Sequence, residues 1–258
     1  MSAVRFLQTE DKPRPLAMPF VTCRSFDAAE ALGKPLASMM ERFSQLGVAA
    51  AFDAWADAGL SRQADEAAQR DDWDCLWGTA LGGVLAFEKG YSDMWQKGRE
   101  RLSPLSVVMG MNNAVNAHLS IQLGLGGASQ SYTVACASSA VAIGEAFRRV
   151  RSGEATLAIT GGSDATQTYG VARAWDAMRL ISPGDETSAP AACRPFRRRS
   201  ARTGVGGWRR GPGARRLGSR RPAGHASTQR WWATAQVATA ATWCDLRPKA
   251  RCAPSGPH

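Results

Sequence analysis

The sequence predicts a layered α/β fold over the first 196 of its 258 residues, followed by a basic tail. Two short apolar runs, Asp74 to Thr79 and Thr156 to Thr160, lead into the glycine pairs Gly82-Gly83 and Gly161-Gly162. Buried strands end this way where backbone must turn tightly or pack closely. Between the β-favouring run Tyr132 to Val134 and the second of those strands, Ile143, Ala146, Phe147 and Val150 recur at helical spacing. Strand, helix and strand of these lengths imply a parallel βαβ unit. After Phe196 the composition changes abruptly, and the layered pattern stops.

Taken in order, Met1 to Pro35 mixes Pro13, Pro15, Pro19 and Pro35 with charges and reads as extended loop. Ser38-Met39-Met40-Glu41 has capping-box spacing, and Met39, Phe43, Leu46, Ala50 and Ala54 continue one apolar stripe to Gly59, a fitting C′ residue. This segment reads as a packing helix whose alanines allow close approach. Met94 to Arg101 is polar and reads as surface. Val107 to Val115 leads into an apolar stretch ending near Ile121, and Tyr169 to Leu180 reads as a helix with Val171, Trp175 and Met178 on a narrow apolar face, stopped by Pro183-Gly184-Asp185.

Cys136 is the candidate catalytic residue. It falls between the run ending at Val134 and the helix carrying Ile143, so it sits at a strand-to-helix turn. The first N–H groups of a helix lack intrahelical acceptors and that end is partly positive, which favours a thiolate. Its small neighbours Ala135, Ala137 and Ser138 leave room for a substrate carbonyl, and a nearby N–H could bind the oxyanion formed on attack. An isolated cysteine would read as an ordinary buried one.

Thr133 to Ser139 resembles the nucleophile turn of the elongating β-ketoacyl-acyl-carrier-protein synthases of the thiolase-like superfamily. Further matching pieces stand in order: Gly78-Thr79-Ala80-Leu81-Gly82-Gly83, Ser103-Pro104, Met111-Asn112-Asn113, Leu123 to Gly127, Gly144-Glu145-Ala146, Ser152 to Ala155, Thr160 to Asp164, and Cys193-Arg194-Pro195-Phe196. The resemblance spans about Val4 to Phe196. It implies a thiolase-like αβαβα fold, here an incomplete N-terminal half whose opening strand is absent. It also implies decarboxylative condensation of an acyl thioester with malonyl-acyl carrier protein, Cys136 accepting the acyl group. Met111 takes the position of a residue lining the acyl tunnel, where a flexible thioether suits chains of differing shape. The implied partners are acyl carrier protein and a second synthase subunit, in a homodimer or heterodimer. Two histidines, a lysine and a gating phenylalanine assist condensation in the family, and no counterpart follows here. His118 reads as structural, and neither His225 nor His258 stands in a matching motif. The resemblance thus implies a chain truncated at both ends and inactive in condensation, with a non-catalytic partner of an intact synthase as the alternative.

The formal charge of +10 is unevenly spread. Residues 197 to 258 hold 14 of the 32 Lys and Arg and one of the 22 Asp and Glu, so the first 196 residues carry 18 basic and 21 acidic side chains. The tail contains no Ile, Phe, Tyr, Met, Asn or Glu and shows no period, so it cannot bury enough apolar surface to offset chain entropy and reads as unstructured. Its arginines and Trp208, Trp231, Trp232 and Trp243 could meet phosphates and stack on bases. Translation in a shifted frame explains the composition better, because the break falls inside the Arg-Pro-Phe motif and nucleic-acid signatures beyond charge are missing. The six cysteines have neither Cys-x-x-Cys nor zinc-finger spacing, and no Walker lysine or Gly-x-Gly-x-x-Gly occurs, so neither metal nor cofactor is expected. With no signal-peptide or membrane-span stretch, the sequence predicts a cytoplasmic protein, where a working thiol stays reduced.

Overall fold

The structure is a computed structural model that describes residues 4–8, 16–21, 23, 25–63, 70–179, 187 and 233–239. The chain opens with β1 (Val4–Gln8) and β2 (Ala17–Val21), an antiparallel pair with Val4 opposite Val21 and Gln8 opposite Ala17. This corrects the expectation of a loop through Pro35. Five-residue strands are too short to display a period, and Pro19 is tolerated because a two-stranded sheet is all edge. Two short helices follow, α1 (Ala28–Leu32), capped by Asp27, and α2 (Lys34–Ser38).

The next helix, α3 (Arg42–Asp57), departs from the expected capping box. Ser38 closes α2, its hydroxyl donating to the Pro35 carbonyl at 2.8 Å, and Glu41 is itself the N-cap, accepting from the Phe43 N–H at 3.1 Å. The buried set is also wider than one stripe. Met39 is exposed, whereas Phe43, Leu46, Val48, Ala49, Ala51, Phe52 and Trp55 are all buried. At the other end Gly59 has φ +72°, Leu60 N–H donates to Trp55 C=O and Gly59 N–H to Ala56 C=O, a Schellman motif at the predicted place.

β3 (Trp73–Gly78) is followed by α4 (Val84–Lys97), α5 (Ser106–Gly110), α6 (Ala114–Leu123), β4 (Ser129–Tyr132), α7 (Ser138–Ser152) and β5 (Leu157–Ser163). The expected parallel βαβ unit is present. β3 is central, with β4 and β5 parallel on either side, and β4 begins earlier than the Tyr132–Val134 run because its ladder partners on β3 are Cys75 to Gly78. α8 (Tyr169–Ala177) stops before Leu180, with Arg179 at φ +54° and Met178 exposed. β6 (Ala233–Thr239) pairs antiparallel with β5, giving the order β4-β3-β5-β6. That departs from a tail without regular structure. Ladder bonds use backbone groups, and Ala-Thr-Ala-Gln-Val-Ala-Thr has neither Gly nor Pro to oppose extension. The Arg-Pro-Phe break, Pro183 to Asp185, His225 and His258 lie outside the described residues.

β1, β2 and α8 belong to one compact unit and the remaining elements to another. In the larger unit, side chains alternate across β3. A Cβ at Gly47 of α3 would meet Trp77 at 3.2 Å, while one at Gly78 would meet the backbone of Ser138 in α7 at 2.3 Å. Leu76, on the Gly78 side, packs with Ala146 and Val150 of α7. Neighbouring strand residues face opposite sides, so α3 and α7 cover opposite faces, and the unit is layered α, β, α. Asp74, 1% exposed, ties the layers at one end, accepting from Arg149 Nε at 2.6 Å and Ala128 N–H at 2.7 Å.

Candidate active site

The larger unit brings its chain turns together at the carboxyl ends of the parallel strands, the usual ligand-binding end of such sheets. β4 ends at Tyr132, and four residues later Cys136 stands exposed as an unbridged thiol just before α7. Ala135 before it has φ +49°, a left-handed conformation that an L side chain adopts at a cost of about 1–2 kcal/mol. The turn closes through Ala137 N–H to Val134 C=O at 3.1 Å and Ser138 N–H to Ala135 C=O at 3.2 Å. Buried Ser138 adds two more bonds, its Oγ accepting from Val134 N–H at 2.8 Å and donating to Ala135 C=O at 2.7 Å.

Glycines let the turn sit on the sheet. Cβ atoms at Gly78 and Gly162 would lie 2.4 Å from Ser139 N and Ser139 Cβ respectively, so only glycine at the ends of β3 and β5 admits the start of α7. Beside it runs the loop after β3. Asp164 holds that loop, accepting from Thr79 Oγ1 at 3.1 Å, Ala80 N–H at 2.7 Å and Leu81 N–H at 3.1 Å, while Thr79 Oγ1 accepts from Gly82 N–H at 3.1 Å.

Met111, at the α5–α6 junction, is 45% exposed. Its neighbour Asn112 donates to Thr133 Oγ1 at 3.1 Å, which places the junction beside the segment leading to Cys136. Buried Asn116 joins three elements, donating to the Cys75 and Gln130 carbonyls at 3.0 and 2.8 Å and accepting from Ser131 Oγ at 2.7 Å. Sequence reasoning placed Asn112 and Asp164 in motifs without a task and missed Asn116. For Asp164 a signal existed, a carboxylate just past a buried strand that can accept from the N–H groups of a neighbouring turn.

The other titratable groups play different parts. Burial pushes the Cys75 thiol up to about 12, which makes it inert packing. His118 is half-buried, its pKa lowered by burial against the opposing hydrogen bond to the Met39 backbone, as a structural histidine would be. An open depression lined by Arg148, Arg151, Ser152 and Glu154 lies at the far end of α7 from Cys136. Among the described residues no helix is long and apolar enough to cross a membrane, and no group of three or more His, Cys, Asp and Glu could hold a metal ion.

Comparison with known proteins gives the family of the chain. Over 173 residues the chain is 34% identical to 3-oxoacyl-[acyl-carrier-protein] synthase 2 of Staphylococcus aureus, a match covering 67% of this chain and 42% of that protein. It is 37% identical over 161 residues to nodulation protein E of Rhizobium leguminosarum bv. trifolii, covering 61% of this chain and 37% of that one. The chain thus spans less than half the length of these relatives. Among solved structures, a β-ketoacyl synthase from Burkholderia phymatum STM815 superposes with a TM-score of 0.60 at 22% identity, over 79% of this chain and 49% of that one. The ketosynthase complex of a type II PKS acyl-carrier protein, bound to the hexaketide, gives 0.54 at 20% identity over 64% and 49%. These two show the shared thiolase-like fold. The family model for the β-ketoacyl synthase N-terminal domain matches residues 9–214, most of the chain and beyond Phe196, and the chain belongs to the β-ketoacyl synthase family.

Proposed function

We propose that the chain carries the acyl-accepting half of a 3-oxoacyl-acyl-carrier-protein synthase reaction of the fatty acid or polyketide type, with Cys136 as its nucleophile. The observation that supports this best is an exposed thiol on a left-handed turn at the carboxyl end of a parallel strand, inside the family's matched residues. The Cys136 thiolate attacks the carbonyl of an acyl thioester on acyl carrier protein. A new C–S bond forms, the carrier's C–S bond breaks, and the carrier sulfur leaves with the electron pair and takes a proton. In the complete reaction malonyl-acyl carrier protein then loses carbon dioxide, and the resulting carbanion attacks the acyl carbonyl and returns the Cys136 thiolate.

We assign the first half without the second. The histidines that the resemblance implies for condensation have no counterpart in this sequence, and His118 is engaged with the Met39 backbone. Met111 supplies a flexible wall for the acyl chain. A thiol with this task works in a reducing compartment.

The test is to incubate the chain with octanoyl-loaded acyl carrier protein and map adducts by peptide mass spectrometry. One octanoyl group on Cys136 is expected, absent from Cys136→Ala, with no 3-oxoacyl product when malonyl-loaded carrier is added. An unmodified Cys136 while Cys75 stays shielded would overturn the assignment. Product formation would overturn its restriction to acyl transfer.

A further inference from the structure

We propose that Ser138 is the positioning residue for Cys136, a role that rests on the reading of Cys136 as acyl acceptor. Val134 lies beyond the last ladder residue of β4, so its N–H needs a partner from elsewhere, and Ser138 Oγ accepts it at 2.8 Å. The same hydroxyl donates to Ala135 C=O at 2.7 Å, using donor and acceptor at once. One side chain therefore bridges the two residues just before Cys136, across the backbone conformation that alanine rarely adopts.

Ser138 is in turn fixed to the sheet. It is 3% exposed, and its carbonyl carbon lies where a Cβ on Gly78 would come within 2.3 Å. The central strand locates Ser138, and the Ser138 hydroxyl locates the turn. Without the hydroxyl, Val134 N–H loses its protein acceptor, and Ala135 C=O keeps only the 3.2 Å bond from Ser138 N–H, so the left-handed state of Ala135 is held less firmly. The turn then relaxes toward ordinary φ, and Cys136 moves away from the approach line of a bound thioester. Attack by a docked acyl group depends on that line, whereas a small alkylating agent can reach an exposed thiol from many directions.

The experiment compares two reactions of Cys136 in the full chain, acylation by octanoyl-loaded carrier and alkylation by iodoacetamide, with buried Cys75 as an internal monitor of folding. Ser138→Ala is expected to slow acylation by about 10- to 100-fold while alkylation of Cys136 changes by less than about 3-fold and Cys75 stays shielded. Ser138→Thr, which keeps the hydroxyl, is expected to restore acylation. Acylation of Ser138→Ala at the unaltered rate with Cys75 shielded, an equal fall in both reactions, or a threonine variant that fails to restore the rate would overturn the role. If Ser138→Ala exposes Cys75, amide exchange in the unaltered chain decides. Protection of Val134 N–H comparable to that of β5 supports the clamp, and exchange at loop rates overturns it. If the unaltered Cys136 alkylates but never acylates, the acyl-acceptor reading fails, and the Val134 exchange rate still judges the clamp.

Discussion

At the scale of single residues, Glu41 stands out because it is buried and incompletely partnered. Its Oε2 caps α3, its Oε1 has no hydrogen-bond partner, and it is only 6% exposed. Burial is the main cause that pushes its pKa from 4.5 up to about 7. The Phe43 and Arg42 N–H groups and the Arg42 charge oppose the rise, and Asp164 adds to it. Between those two values the folded chain holds a proton that the unfolded chain releases, so stability from this group is fully present below about pH 4.5 and is lost as pH rises through about 7. The whole effect is bounded by about 3 kcal/mol. Urea unfolding at pH 5, 6, 7 and 8 should show a falling midpoint that Glu41→Gln flattens. Parallel curves for the two chains would mean that Glu41 is ionised throughout. The effect extends to the loop after β3, since Asp164, the carboxylate that an ionised Glu41 repels, also holds that loop.

At the scale of elements, the glycines separate what was legible in the sequence from what was not. The helix stop at Gly59 and the close approach at Gly162 were readable, because a positive φ or a tight contact leaves glycine as the residue that fits, whereas β3 ends at Gly78, ahead of the expected Gly82-Gly83 pair, and β5 runs through Gly161-Gly162 to Ser163. The βαβ unit was readable from Ile143, Ala146, Phe147 and Val150. The opening β1–β2 pair was not, since strand pairing is non-local and five-residue runs show no period. The cap of α3 was misplaced by three residues because two carboxylate and hydroxyl candidates, Ser38 and Glu41, compete at that junction, and the end of α2 claims the serine. The place of Cys136 at the turn before α7 was legible from the strand and helix patterns on either side, but the bonds of Ser138 were not, because they depend on the rotamer of one buried hydroxyl. Two substitutions separate packing from propensity. Gly78→Ala would place a Cβ 2.3 Å from the Ser138 backbone and should destabilise by about 2–4 kcal/mol, displacing Cys136 with α7. Gly144→Ala, mid-helix in α7 with nothing within 4 Å of the new Cβ, should stabilise by about 0.5–1 kcal/mol. Chemical denaturation of both checks the pair, and equal effects would mean that the start of α7 does not press on β3 as closely as these distances state.

At the scale of the whole molecule, charge and family membership divide the chain differently. The basic excess begins at Arg197, inside a motif, whereas the family match continues to residue 214 and β6 pairs with β5 still further on. Neither continuation requires that the tail's side chains were selected for this fold. Ladder pairing is made by backbone groups that every residue but proline possesses in full, so β6 sets little condition on its side chains. What a selected continuation would require is apolar side chains at strand or helix spacing, and residues 197 to 258 lack Ile, Phe, Tyr and Met altogether. Read beyond the Phe196 codon, one of the other two frames should encode an acidic residue, then Arg-Gly, then a Gly-Glu-Gly-Ala turn into an apolar strand, with histidine motifs further on. A chain restored in that frame should form 3-oxoacyl product from octanoyl- and malonyl-loaded carrier, and the present chain should form none. If neither frame encodes that continuation, the basic tail belongs to the working protein. Its 14 Lys and Arg against one acidic residue should then hold random single-stranded oligonucleotides at 50 mM salt and release them by 200 mM, without sequence preference, in a mobility-shift assay.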